Sequence, residues 1–302
     1  MTSQDYTALS PRTARVGGLD LCYETFGDSD DPALLLVMGF GAQMISWSRS
    51  FVTTFADAGF YVIRYDHRDT GLSTKLDDRV PDVDAFRRND PRALVYGLED
   101  MADDGIGLLR ALGIEKAHVL GSSMGGMIAQ QMAIRHPDVV LSLCSIMSTT
   151  GRAGVGKPRE GVLEVLGAPV PDGRENAIEH AVRSQHLVSG GGYPVDEEAA
   201  RQRTGAAYDR SIHANGRLRQ QIAARFATDR TEALATLQMP VLVLHGADDP
   251  LISVSGGEAT AAAIPGSRLV VFPGMGHEFP TELQTQIVAE FARNARRDTS
   301  PT

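Results

Sequence analysis

The sequence predicts an α/β protein with a mostly parallel sheet, helices on both of its faces and an inserted helical cap. Three observations carry that reading. Short, nearly unbroken apolar runs recur at 33–37, 61–65, 117–121, 139–147, 240–244 and 268–272, the composition of strands buried on both faces. Between most of them lie segments whose apolar residues repeat at helical spacing, so strand and helix alternate. The rhythm changes near Thr149 and resumes at Pro240, leaving residues 150–225 rich in Gly, Ala and charge, with helical patterns but no strong strand.

The elements follow in order. Residues 1–12 are polar and read as a flexible N-terminus. A core is expected over 13–149 and 226–298, with the cap at 150–225. Runs at 14–16 and Leu19–Phe26 predict two strands joined by a Gly17-Gly18 hairpin turn. After a loop at 28–32, Ala33–Val37 predicts a core strand that ends in Met38-Gly39-Phe40-Gly41. Trp47, Phe51, Phe55 and Ala58 stand close to helical spacing, and Gly59 predicts the stop. Tyr61–Tyr65 leads into Asp66-His67-Arg68-Asp69-Thr70-Gly71-Leu72-Ser73, and the charged stretch 74–97 reads as loop. Leu98, Met101, Gly105, Leu108, Leu109 and Leu112 share one helical face, closed by Gly113. A strand from Ala117 and an Ala-rich helix come next; His136-Pro137 ends that helix before the strand at 139–147. Helices are expected at 177–188, 196–208 and 216–226, broken by Ser-Gly-Gly-Gly-Tyr-Pro at 189–194. A strand at 240–244, a helix over 256–264 and a strand at Arg268–Phe272 complete the pattern. Thr281-Glu282-Leu283-Gln284 reads as a capping box opening the last helix.

The chemistry is concentrated in residues 117–128, where a strand meets Gly121-Ser122-Ser123-Met124-Gly125 and a helix follows at once. This is G-x-S-x-G in strand–turn–helix context, a nucleophile elbow. A serine at the apex of so sharp a turn is strained, and its neighbours two residues away on either side must be small. Only Ser123 has glycine at both positions; Ser122 would be flanked by Leu120 and Met124. Chance alone gives about 0.2 such matches in a chain of this length and composition, so the serine's partners must carry the assignment.

A serine hydroxyl needs an oriented base to remove its proton. Of the eight histidines, only His277 lies in a Gly-rich loop near the C-terminus, directly after the last predicted strand. Asp248 and Asp249 lie directly after the strand at 240–245 and are the candidate acids. Backbone N–H groups must then hold the charge that develops on the carbonyl oxygen. Met124, which follows the nucleophile, and Phe40, in the loop after strand 33–37, fit that role.

Asp31-Pro32-Ala33-Leu34-Leu35-Leu36-Val37-Met38-Gly39, Tyr65-Asp66-His67-Arg68-Asp69-Thr70-Gly71 and Pro273-Gly274-Met275-Gly276-His277 resemble segments of aclacinomycin methylesterase and related bacterial hydrolases. With the elbow, they identify the chain as similar to α/β-hydrolases over about residues 14–297. The resemblance implies the order Ser123…Asp249…His277, and it favours Asp249 over Asp248 because the family places its acid three residues after the glycine at 246. It implies ester hydrolysis and a scaffold role for the turn 66–73, with Asp69 where many relatives carry glycine. Met38-Gly39 stands where His-Gly is frequent, which leaves a backbone donor intact.

The expected activity is therefore a serine carboxylic-ester hydrolase. A lipase, phospholipase, thioesterase or C–C bond hydrolase could use the same residues, and a ligand-sensing module could keep a slow triad. Met44, Trp47 and Met147 are candidates for an apolar pocket beside the serine, each equally able to be core. Gly151-Arg152-Ala153-Gly154-Val155-Gly156-Lys157 matches the start of a P-loop, but Pro158 replaces the required hydroxyl. With no metal or dinucleotide motif, no metal or cofactor is expected. The net charge of −9 argues against a nucleic-acid partner. Cys22 and Cys144 read as buried thiols. Neither a leader peptide nor a membrane span is expected, which makes the cytoplasm the default location. Oligomeric state is not legible.

Overall fold

The computed structural model describes residues 3–297. Its strands are β1 (Arg12–Val16), β2 (Leu19–Phe26), β3 (Ala33–Val37), β4 (Tyr61–Tyr65), β5 (Ala117–Ser122), β6 (Val140–Ile146), β7 (Val241–Gly246) and β8 (Arg268–Phe272). They form one sheet in the order β1-β2-β4-β3-β5-β6-β7-β8. The β1–β2 hairpin and the β2–β4 pair are antiparallel; every other pair is parallel.

The helices are α1 (Arg49–Asp57), α2 (Val83–Arg87), α3 (Leu98–Ala111), α4 (Met124–Arg135), α5 (Val162–Gly167), α6 (Arg174–Val188), α7 (Glu197–Arg210), α8 (Ala214–Arg225), α9 (Thr231–Leu234), α10 (Ser255–Ala263) and α11 (Thr281–Ala295). Every residue of β3 is buried, because its side chains alternate between two apolar layers. Leu34 and Leu36 join Phe51 and Phe55 of α1 and Phe291 of α11, whereas Leu35 and Val37 join Met101 of α3 and Met132 of α4. The chain thus leaves β3 for one face and β5 for the other. Loops diverging from neighbouring parallel strands open a crevice at their carboxyl ends.

Several elements differ from the sequence reading. Trp47 lies outside α1: a 3-10 turn at Met44–Ser46 precedes it, and Ser48 caps the helix by accepting from the Phe51 amide. The stretch 74–97 contains α2 and a 3-10 turn at Pro91–Ala93, capped by Asp82 and Asp90. These single turns, like α5 and α9, are too short to show a period. The expected capping box does not form; Pro280 occupies the N-cap of α11 and Thr281 is already helical. The N-terminal segment is held where composition predicts looseness. Tyr6 is buried, and Glu24 Oε1 accepts from the amides of Leu9 and Ser10 at 2.8 and 3.0 Å. Met1 and Thr2 of that segment, and residue 298 of the expected core, lie outside the described residues.

Candidate active site

β5 and α4 meet at Ser123 with φ 57° and ψ −124°, a conformation that L side chains rarely adopt and that stores roughly 1–3 kcal/mol of strain. The neighbourhood has no spare room. A Cβ on Gly121 would collide with the Gly125 carbonyl, and one on Gly125 with the Val37 carbonyl. The strained peptide is tied down from β6. Ser123 N–H donates to Ile146 O at 2.9 Å, and Ser148 Oγ donates to Ser123 O at 2.8 Å.

The loops after β7 and β8 bring two more groups to this apex. His277 Nε2 lies 2.9 Å from Ser123 Oγ, and Nδ1 lies 2.8 Å from Asp249 Oδ2. A buried carboxylate can only accept, so Nδ1 carries the proton and Nε2 accepts from the serine hydroxyl. Asp249 is 5% exposed, and its other oxygen accepts from the amides of Leu251 and Ile252 at 2.8 and 2.9 Å. Asp248 is exposed; its Oδ2 accepts the Gly274 amide at 2.9 Å and so braces the histidine loop from outside. His245 lies 3.6 Å from Asp249 Oδ2, but burial lowers its pKa, and its Nε2 bonds the Ile252 carbonyl. That leaves His277 as the imidazole between carboxylate and hydroxyl.

The loop after β3 closes the other side. The Cα of Gly39 faces Ser123 so closely that a Cβ there would stand 3.3 Å from the serine Cβ. Among the described residues the N–H of Phe40 has no backbone acceptor, and Met124, as the first residue of α4, has no intrahelical one.

The turn after β4 fixes this loop, and sequence reading missed how. His67 Nε2 bonds the Met38 carbonyl at 2.9 Å, and Asp66 Oδ1 accepts the Met44 amide at 2.8 Å. The same turn receives the segment between β6 and β7. Arg210 pairs with Asp66 at 2.6 Å, and Arg219 grips Asp69 through two bonds of 2.7 Å, with both side chains fully buried. Burial works against the Asp69 charge, but the Arg219 bonds hold its carboxyl below the usual range. Asp69 has φ 67°, which explains why glycine would be at ease there. Gln220 links Thr70 Oγ1 (2.7 Å) to the Gly41 amide (2.9 Å). A charged residue at a turn position suited to glycine is the one sequence signal that could have pointed to this network.

The three pocket candidates separate. Trp47 is fully buried with its ring 5.2 Å from that of Phe279, two residues beyond His277, and its Nε1 has no partner among the described residues. Met147 packs in the same apolar layer, whereas Met44 packs with Cys22 and Ile45 in a separate cluster. Gly151–Lys157 forms turns, and no helix starts until Val162; Lys157 lines a shallow hollow with Asp248 and Ser253. Among the described residues no group of three or more His, Cys, Asp or Glu is placed to hold a metal ion. No described helix is long and apolar enough to cross a membrane. Both cysteines are free and buried.

Comparison with known proteins agrees with this architecture. The family profile described as "alpha/beta hydrolase fold" matches residues 32–282. Rhodomycin D methylesterase of Streptomyces sp. strain C5 is 29% identical over 295 residues, which cover 91% of this chain and 95% of the relative. The bifunctional esterase/perhydrolase of Acinetobacter calcoaceticus is 25% identical, across 87% of this chain and 91% of that one. The solved meta-cleavage product hydrolase of Pseudomonas fluorescens IP01 superposes with a TM-score of 0.74 at 22% identity, covering 94% of this chain and 98% of the other. At that identity the likeness is one of fold.

Proposed function

The chain belongs to the α/β-hydrolase fold family, and from that premise we propose that it is a serine carboxylic-ester hydrolase working through an acyl-enzyme. The observation that carries the reading is the continuous chain of bonds from Asp249 through His277 to Ser123 Oγ. As Ser123 Oγ attacks the ester carbonyl, His277 Nε2 takes its proton and Asp249 stabilises the imidazolium. The Phe40 and Met124 amides hold the oxyanion. Collapse of the tetrahedral species breaks the bond to the alkoxy oxygen, and His277 returns the proton to the departing alcohol. Water, deprotonated by the same histidine, then attacks the acyl carbon and releases the acid and the free serine. Helices α5–α8 act as the cap over this crevice, anchored by Arg210 and Arg219.

The test is hydrolysis of p-nitrophenyl esters of two to sixteen acyl carbons by wild type and Ser123→Ala. A short- or medium-chain optimum that disappears in the variant is the expected result. A long-chain optimum would move the reading to a lipase or thioesterase. No Ser123-dependent turnover at any length would overturn the general-esterase reading.

A further inference from the structure

Three arginines of α7 and α8 reach toward the loops beneath them. Two end on carboxylates, Arg210 on Asp66 and Arg219 on Asp69. The third does not. Arg217 stacks over the ring of Phe40, its Cζ 4.3 Å from the centroid, and its Nη1 abuts Gly41. Its protein acceptor among the described residues is one carbonyl, that of Leu166, 2.6 Å from Nη2. Arg217 is half-buried, burial lowers its pKa, and no carboxylate among the described residues pairs with it. A second observation agrees. His180, half-buried on α6, is pushed below its ordinary value by burial and then by the charges of Arg183 and Arg217. Positive charge from Arg183 and Arg217 thus acts on His180, in a chain whose net charge is −9.

A half-buried guanidinium with one neutral hydrogen-bond partner keeps donors free for an anion. Phe40 and Gly41 follow Gly39, which touches Ser123. We infer that Arg217 recognises an anionic group on the substrate, so that the preferred ester also carries a carboxylate, seated between α8 and the 38–41 loop. This deepens the esterase reading and rests on it for the position of the scissile bond. The planar fork of the guanidinium suits a carboxylate, and its position over the Phe40 ring sets it beside the proposed oxyanion donor.

The experiment compares monoethyl esters of malonic, succinic, glutaric and adipic acids with the matching diethyl esters. The readout is the ratio of kcat/KM for the anionic over the neutral member of each pair. Wild type is expected to favour at least one monoester by about tenfold or more, the range of a charge-assisted hydrogen bond. Arg217→Gln should bring that ratio to about one and Arg217→Lys should retain part of it. If Arg217 only braced Phe40, both esters would slow together and the ratio would persist, overturning the proposal; so would a wild-type ratio of one or less throughout. Calorimetric binding of ethyl hydrogen glutarate and diethyl glutarate to Ser123→Ala, with and without Arg217→Gln, decides the question without turnover. Tighter binding of the monoester that depends on Arg217 supports the proposal even if the esterase reading fails, and equal binding overturns it. Should Arg217→Gln not fold, Arg217→Lys carries both comparisons.

Discussion

The backbone amide of His277 donates to the carbonyl of Val188, 2.8 Å away. The loop that carries the imidazole is thus pinned to the end of α6 as well as to the sheet. Gly192 N–H extends the contact to Gly274 O at 3.0 Å, and a Cβ on Gly190 would meet Gly276 N at 2.6 Å. Gly190→Ala should therefore displace the histidine loop and lower kcat/KM by about tenfold or more, since small misplacements are costly in a preorganised site. Melting curves alongside the kinetics separate displacement from unfolding; unchanged kcat/KM would show that the contact does not position His277.

Ser123→Ala and His277→Ala should each remove roughly 10⁴-fold or more of kcat, and combining them should remove little further. Asp249→Asn should lose about 10⁴-fold by favouring the wrong imidazole tautomer. Asp248→Asn, which keeps an amide oxygen able to accept the Gly274 N–H, should stay within about tenfold. Steady-state kinetics of the five variants checks the assignment, and a collapse in Asp248→Asn would reverse the roles of the two carboxylates.

Breaking the Asp69–Arg219 pair by removing the arginine leaves the buried Asp69 charge without its cation, held by the Leu76 amide at 2.8 Å. Arg219→Met should destabilise the fold by about 3–5 kcal/mol in urea unfolding. Adding Asp69→Gly to that variant should recover much of the loss, because it removes the orphaned carboxylate and relieves φ 67° at that position. A double variant no more stable than the single one would refute this account.

Burial lowers the pKa of both His67 and His118 to about 4. His67 donates from Nε2 to the Met38 carbonyl and its Nδ1 is buried without a partner among the described residues, so a second proton there meets no acceptor among them. The unfolded chain takes up these protons near pH 6.5, well before the folded chain does. The stabilisation is therefore complete above pH 6.5 and is lost as pH falls toward 4, by about 2 kcal/mol per histidine at pH 5. Urea unfolding at pH 7.5 and 5 measures the loss, and His118→Gln should make it smaller by about that amount. An undiminished loss would assign the pH dependence to other groups.

The sheet was legible because the core strands are nearly unbroken apolar runs, and the elbow because strain at Ser123 demands small neighbours on both sides. Local pattern could not separate Asp248 from Asp249, which share a turn and differ in burial and in what they accept. Nor could it show that Asp69 meets Arg219, 150 residues away. Contacts of that separation leave no period in the chain. The shortest helices were missed because a turn or so is too brief to show a period, and the N-terminal segment because its attachment runs through Glu24 rather than through its own composition.

One turn, 66–70, holds both the loop that offers the Phe40 amide and the helices that carry Arg210, Arg217 and Arg219. The parts proposed to set rate and those proposed to set substrate choice thus share a single foundation. Mutations that retune selectivity through α7 or α8 will register in turnover as well. A lineage of such enzymes acquiring new substrates would then change this turn and these helices together, leaving covariation between positions 66–70 and 207–220 as its trace.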